Sequence, residues 1–200
     1  MSKHLITPIL TLGLLASLGY SEAAAEEGAI DWGLVYKADV SGVLDGGSSR
    51  SGRFLDNLEL TADVSLERMF GWQGAHVYAH LLNNSGGAPN DIAGTLQGVD
   101  NIEVARPRAK LYQFWIEQEF AGGRGSVLAG LYDLNSEFYV TEAAGELMAP
   151  AFGIGSELAA TGPNGPSIFP STALTVRGRW SLTQNQTVQV AVVNARGRHR

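Results

Sequence analysis

Charged side chains recur at alternate positions in several short segments of this 200-residue chain. The candidates that share this spacing, together with one aromatic residue in the same register, are Glu59, Asp63, Trp115, Glu117, Arg177 and Arg179. Carboxylates accept hydrogen bonds and guanidinium groups donate them in a rigid fork, so these residues supply paired acceptors and donors for a polar ligand. Trp115 would offer a flat apolar surface to a ring. The alternative is that the charges only keep a water-filled surface hydrated.

Catalytic and metal-binding arrangements have less support. On a strand, Glu117 and Glu119 would be ~7 Å apart, within the ~5–9.5 Å range of glycoside hydrolases, but acidic pairs are common on any wet strand face. His76 and His80 would be ~13 Å apart, too far to share one metal ion. Neither G-x-S-x-G nor a phosphate-binding P-loop occurs. The sequence therefore predicts no enzyme activity, no metal site and no cofactor.

Apolar and polar residues alternate through most of the chain. In residues 55–67, one face carries Leu58, Leu60, Ala62, Val64 and Leu66. A period of two predicts a β-strand, because successive side chains leave opposite faces. The same alternation occurs in six more segments, which are residues 29–40, 73–82, 111–120, 125–135, 172–181 and 186–194. The chain is therefore predicted to be all-β, with about seven strands and no long helix.

The connections and the aromatic residues indicate an antiparallel up-and-down transmembrane barrel. Short turns alternate with two long connections, residues 85–107 and 136–167, as in outer-membrane barrels. Strand reversal places two sets of aromatic residues at opposite rims, where amphipathic rings favour the lipid–water interface. The predicted sets are Trp32, Phe70, Trp72, Phe120 and Trp180 at one rim, and outward-facing Phe54 and Tyr112 at the other. A soluble sandwich would also alternate, but its strands average only ~5–6 residues.

Composition excludes several classes of protein. The net charge of −6 argues against nucleic-acid binding, and the lack of cysteine excludes disulfides and thiolate metal sites. Residues 1–25 resemble an export signal, with Lys3 and His4 before an apolar stretch and a predicted cut after Ala25. A short membrane anchor is the alternative. The mature chain would then comprise residues 26–200, outside the cytoplasm.

Several long segments resemble the carbohydrate-selective porins of the OprB family. They include "FLDNLELTADVSLERMFGWQGAHVYAHLLNN", "PNDIAGTLQGVDNIEVARPRAKLYQFWIEQEF" and "FGIGSELAATGPNGPSIFPSTALTVR". The resemblance covers roughly residues 29–193. It implies a barrel of about sixteen strands in the bacterial outer membrane, through which small sugars, monosaccharides or short oligosaccharides, diffuse passively. It also implies contact with outer-membrane lipid, a possible homo-oligomer at full length, and pore-lining roles for the six candidate residues.

The chain also departs from that family. About seven strands cannot close such a barrel, and "VVNARGRHR" lacks the terminal aromatic residue that usually ends one. We therefore expect an N-terminal fragment with an incomplete barrel that forms no working pore alone. The alternative is a soluble periplasmic sugar-binding β-sheet protein without channel activity. The connection 136–167, which carries Glu137, Glu142, Glu146 and Glu157, is expected to fold inward and narrow the passage; an outer-surface loop is the alternative.

Overall fold

A computed structural model describes residues 9–16, 28–159 and 166–194. These residues form one antiparallel sheet of eight strands, each hydrogen-bonded to its neighbours in sequence order. The strands are β1 (Ile9–Ala16), β2 (Ile30–Val43), β3 (Gly52–Ser65), β4 (Ala75–Gly86), β5 (Arg108–Phe120), β6 (Gly125–Tyr132), β7 (Ala173–Thr183) and β8 (Gln186–Val193). The predicted cut after Ala25 and the basic tail 195–200 lie outside the described residues.

Strands β2 to β8 confirm the seven strands predicted from alternation. Strand β1 lies inside the segment predicted to be an export signal, and it pairs with β2 from Ile9 opposite Val43 to Ala16 opposite Tyr36. Its sequence, "ILTLGLLA", is apolar almost throughout, so no period of two marked it as a strand. The export signal stays a prediction.

Helices in the described residues are short. They are α1 (Leu66–Phe70), α2 (Asn90–Ala93), α3 (Pro150–Gly153) and α4 (Ser156–Ala159), with 3₁₀ turns at Leu134–Ser136 and Glu142–Glu146. None of the helices in this part of the chain is long and apolar enough to cross a membrane.

Strand β3 ends one residue before the predicted apolar row does. The Ser65 side chain accepts a hydrogen bond from the backbone N–H of Arg68 at 3.3 Å and so caps α1. Gly71, at φ 75°, ends the helix in the left-handed conformation that glycine tolerates best. The prediction that Leu66 extends the outward row of β3 is therefore wrong, because the cap turns the chain into a helix there.

The sheet has one apolar and one polar face. Register places Leu60 between Leu34 and Leu81, so the apolar side chains form a continuous surface across the strands. This surface is exposed, with Leu60 38% and Val176 54% accessible. Side chains on the opposite face are mostly polar and largely covered; the polar ones include Asn57, His80, Asn84, Gln113, Glu117, Ser126, Thr175 and Arg177.

One rim of the sheet, where the short turns lie, carries the predicted aromatic residues. The rings of Phe120 and Trp180 lie 6.0 Å apart, because both residues pair with Gly125 from opposite sides. A side chain on Gly125 would collide with both rings, since an added Cβ would lie 2.6 Å from Trp180. We call this edge the turn rim and the opposite edge the loop rim.

Tyr112 does not face outward, so its placement in the second aromatic set is wrong. The β4–β5 pairing shifts between His80, opposite Gln113, and Leu81, opposite Leu111, which leaves Tyr112 as the extra residue of a β-bulge. Tyr112 is buried, its ring contacts His80 edge-on at 5.1 Å, and its hydroxyl donates to Asp133 at 2.6 Å. The bulge therefore brings Tyr112 to the polar face beside Gln113.

The first long loop, residues 87–107, covers the polar face at the loop rim. It buries the apolar side chains of Ile92, Val99 and Ile102. Asp100, 1% exposed, accepts hydrogen bonds from Ser41 of β2 at 3.4 Å and from the backbone N–H of Ile102 at 3.0 Å. The carboxyl group of Asp39 on β2 is a close neighbour of the Asp100 carboxyl group. Two neighbouring carboxyl groups repel each other when both are ionised, so we expect the attachment of this loop to depend on pH.

We expect the first long loop to be held more firmly in acid than in base. Burial raises the pKa of Asp100 above the ~3.9 of an exposed aspartate. The stabilisation is therefore complete below ~pH 4 and is lost as the pH rises through the raised pKa. A spin label on Leu96→Cys, in the exposed part of the loop, should become more mobile on going from pH 4 to pH 8.

The matched control is Asp100→Asn, whose amide stays neutral and can donate to Asp39 at every pH. In that variant the mobility of the label should change much less between the two pH values. Equal pH dependence with and without the substitution would contradict a role for Asp100.

Candidate functional site on the polar face

The polar face carries a cluster of aromatic rings near its centre. Tyr78 of β4 and Trp115 of β5 are cross-strand partners, and their rings stack at 5.0 Å with an angle of 23° between the planes. His76 meets Trp115 edge-on at 5.3 Å, and Tyr132 does so at 6.4 Å. The Trp115 indole N–H donates to Gln113 at 3.3 Å. Aromatic contacts on several sides fix the orientation of the indole ring.

Gly130 makes room for Trp115 from the neighbouring strand. The two residues are partners across β5 and β6, and an added Cβ on Gly130 would lie 2.5 Å from Trp115 Cα. Gly130 also has φ 150°, a conformation that other residues rarely adopt. The close approach of the two strands under the indole therefore requires glycine.

Charged groups beside the aromatic cluster form a chain that runs from β3 to β7, with members on four of these five strands. His76 lies between two carboxylates, with Nδ1 3.1 Å from Asp63 and Nε2 3.1 Å from Glu117. Glu117 also accepts a hydrogen bond from Arg177 at 2.9 Å. Arg177 in turn contacts Glu137 at 2.8 Å, at the start of the second long loop. Acidic and basic groups thus alternate from β3 to β7.

Two further groups of charges flank this chain. Glu59 accepts hydrogen bonds from Lys37 at 3.0 Å and Asn57 at 2.8 Å, and His80 Nε2 lies 3.3 Å from its other oxygen. Toward the turn rim, Arg179 contacts Glu119 at 3.3 Å. In the described part of the chain, no group of three or more acidic, His or Cys side chains is arranged to hold a metal ion.

All six residues singled out from the sequence lie on the polar face, but in different settings. Trp115 is partly exposed within the aromatic cluster, and Glu117 is buried. Asp63 and Arg179 keep 43% and 30% of their side chains accessible, against 19% for Glu59 and 1% for Arg177. The groups open to a ligand are therefore Asp63, Arg179 and the edge of the aromatic cluster.

Sequence reasoning did not identify every residue of the site. Alternation in residues 73–82 predicts Tyr78 on the same face as His76 and His80, but it assigns Tyr78 no contact with a ligand. Tyr132 belongs to the aromatic cluster, and Glu137 of the loop after β6 borders the cluster through a contact with the Tyr132 hydroxyl. Alternation already places Tyr132 on the same face as Ser126 and Leu128, and that signal could have been used.

Comparison with known proteins agrees with this geometry. The family model of the carbohydrate-selective porin, OprB family, matches residues 49–197. Porin B of Pseudomonas aeruginosa is 24% identical over 135 residues, which cover 62% of this chain and 29% of that protein. The high-pH structure of Pseudomonas putida OprB matches with a TM-score of 0.72 at 23% identity, covering 82% of this chain and 40% of that one.

The chain thus spans less than half the length of either relative, and its open sheet has the fold of part of a porin barrel. The family match covers the aromatic cluster, the charged groups from Asp63 to Arg179 and both long loops. The chain belongs to the carbohydrate-selective porin, OprB family.

Proposed function

We propose that the polar face of this sheet lines a channel for passive diffusion of small sugars through the bacterial outer membrane. The observation that carries the proposal is the pairing of charges around an aromatic cluster. Glu59, Glu117 and Glu119 each contact a cationic or imidazole group on another strand. A wall whose charges are paired favours neutral solutes, while the paired groups still donate and accept hydrogen bonds.

The aromatic cluster supplies the second property that a sugar path needs. Tyr78 and Trp115 present stacked rings, and Tyr78 is the cross-strand partner of Asp63, whose side chain is 43% accessible. Sugar rings have apolar faces and polar rims, so they fit a surface that combines aromatic carbon with carboxylate acceptors. On the opposite face, Leu60, Phe114 and Val176 would contact lipid chains.

The four tryptophans allow a direct test of this partition. Trp32 lies on the apolar face and is 49% exposed, whereas Trp115 lies on the polar face. We would compare a chain that keeps only Trp32 with one that keeps only Trp115, the others replaced by Phe, both refolded into vesicles. Lipids brominated in their acyl chains should quench Trp32 strongly and Trp115 weakly.

The same two variants test for sugar. Millimolar glucose or maltose should change the fluorescence of Trp115 and leave that of Trp32 unchanged, because only Trp115 faces the proposed path. If the chain stays soluble without lipid and Trp32 escapes the brominated lipid, the protein is not a membrane channel. A sugar response from Trp32 alone would place the sugar on the apolar face and would contradict the proposal.

A further inference from the structure

The second long loop, which the structure describes over residues 133–159 and 166–172, is fastened to the polar face close to where it begins. Glu137 accepts two hydrogen bonds from Arg177, from Nε at 2.8 Å and from Nη2 at 2.9 Å. Tyr132 donates to the same carboxylate. A two-point contact between a guanidinium and a carboxylate fixes direction as well as distance. The carboxylate of Glu137 is therefore held on the wall by β6 and β7 together.

Arg177 has little capacity left for a ligand. Besides Glu137, it donates from Nη1 to Glu117 at 2.9 Å and to Ser126 at 2.6 Å. Four of the five N–H groups of the guanidinium are thus used, and 1% of the side chain is accessible. A sugar hydroxyl would have to displace a carboxylate to reach this group.

Arg179 lies two residues away on the same strand and offers a contrast. Its contact with Glu119 joins two strands of the sheet and involves neither long loop. Its side chain is 30% accessible, so it can still meet solvent and solute. Alternation predicts Arg177 and Arg179 on the same face of the strand, yet Arg177 is buried and Arg179 is accessible.

The loop also has anchors at its ends. Asp133 accepts the hydroxyl of Tyr112 at 2.6 Å, and Ser167 accepts the backbone N–H of Ala173 at 2.6 Å. Between these ends, Asn101 of the first long loop donates to the carbonyl of Leu147 at 3.2 Å. The Glu137–Arg177 contact is thus the point at which the segment after the first anchor is held to the wall.

We propose that Arg177 is a positioning residue, which holds the second long loop against the channel wall and so limits the width of the sugar path, and that it does not itself bind sugar. The statement that this path carries sugar rests on the proposed function. The attachment of the loop by Arg177 can be measured without any sugar or channel activity.

The experiment uses the absence of native cysteine. In the full chain refolded into vesicles, Thr175→Cys would place one thiol on the polar face of β7, at a position that is 3% exposed. Its reaction rate would be measured with a small and a sugar-sized thiol reagent. Glu137→Gln, Arg177→Gln and the control Arg179→Gln would each be combined with it.

Glu137→Gln and Arg177→Gln should raise the rate for the sugar-sized reagent at least tenfold, and Arg179→Gln should leave it within twofold. Glu137→Gln is the decisive variant, because it keeps the Arg177–Glu117 pair and so preserves the wall. A spin label on the exposed Val140→Cys should become more mobile in the same two variants. An unchanged rate and an immobile label in Glu137→Gln would overturn the proposal.

Sugar binding gives the remaining readout. In the variant that keeps only Trp115, Glu137→Gln should preserve the sugar response, because no sugar contact is removed. Loss of that response while the loop stays immobile would also overturn the inference. If no variant or parent responds to sugar, but the loop is released, the proposed function fails and the positioning role of Arg177 stands.

Discussion

Replacing Arg177 by methionine is expected to lower the free energy of unfolding by ~3–5 kcal/mol, the usual cost of removing one partner from a buried ion pair. The substitution leaves Glu117 and Glu137 without their main donor, at side-chain exposures of 8% and 25%. Methionine fills most of the volume, so the loss comes mainly from uncompensated carboxylates and not from a cavity.

The matched substitution is Arg179→Met on the same strand. Its partner Glu119 is 41% accessible, so solvent screens the pair and the expected loss is only ~0–1 kcal/mol. Both variants would be unfolded in urea in detergent micelles, with tryptophan fluorescence as the signal. Equal losses would mean that Arg177 is no better buried in solution than Arg179.

Replacing Gly130 by alanine should cost about 3 kcal/mol. A residue with a side chain at φ 150° is strained by ~1–3 kcal/mol, and crowding against well-packed neighbours adds a similar amount. The crowding here is severe, because the new methyl group would collide with the Phe114 carbonyl and the backbone of Trp115. We also expect the emission of Trp115 to shift as the indole is displaced.

Gly178→Ala is the control, on the neighbouring strand β7. An added Cβ there meets nothing within 4 Å, and the backbone has no positive φ. Alanine is favoured over glycine in a strand by roughly 0.5–1 kcal/mol, so this variant should be neutral or slightly more stable. Urea unfolding should therefore show a large loss of stability for Gly130→Ala and no loss for Gly178→Ala. A tolerated Gly130→Ala would contradict the close approach of β5 and β6.

The fold was predictable because each strand has one apolar face and one mostly polar face, which appears in the sequence as a period of two. Leu58, Leu60, Val176 and Val190 follow the period of two and lie on the exposed apolar face. The bulge at Tyr112 was not predictable from its own strand. A bulge is an extra residue relative to the partner strand, so its position depends on how β5 pairs with β4. Because of this bulge, Tyr112 lies on the polar face and not among the outward-facing aromatic residues at the rim.

The site was predictable only as a set of residues on one face. Alternation placed Glu117, Arg177 and Arg179 correctly, but it could not distinguish the buried arginine from the accessible one. That difference comes from Glu137, which is 40 residues from Arg177 in sequence and belongs to a loop without a period. Contacts of this kind depend on how a long connection folds back, and local pattern carries no information about it.

The contact between Asn101 and Leu147 gives the two long loops a common mechanical role. One loop is fixed to β2 through Ser41, and the other to β7 through Arg177, so together they tie strands that are five positions apart in the sheet. In a bilayer, such a connection would resist separation of the strands of the sheet under lateral pressure. Deprotonation of Asp100, at the β2 end, would consequently loosen the contact between Glu137 and Arg177 at the β7 end.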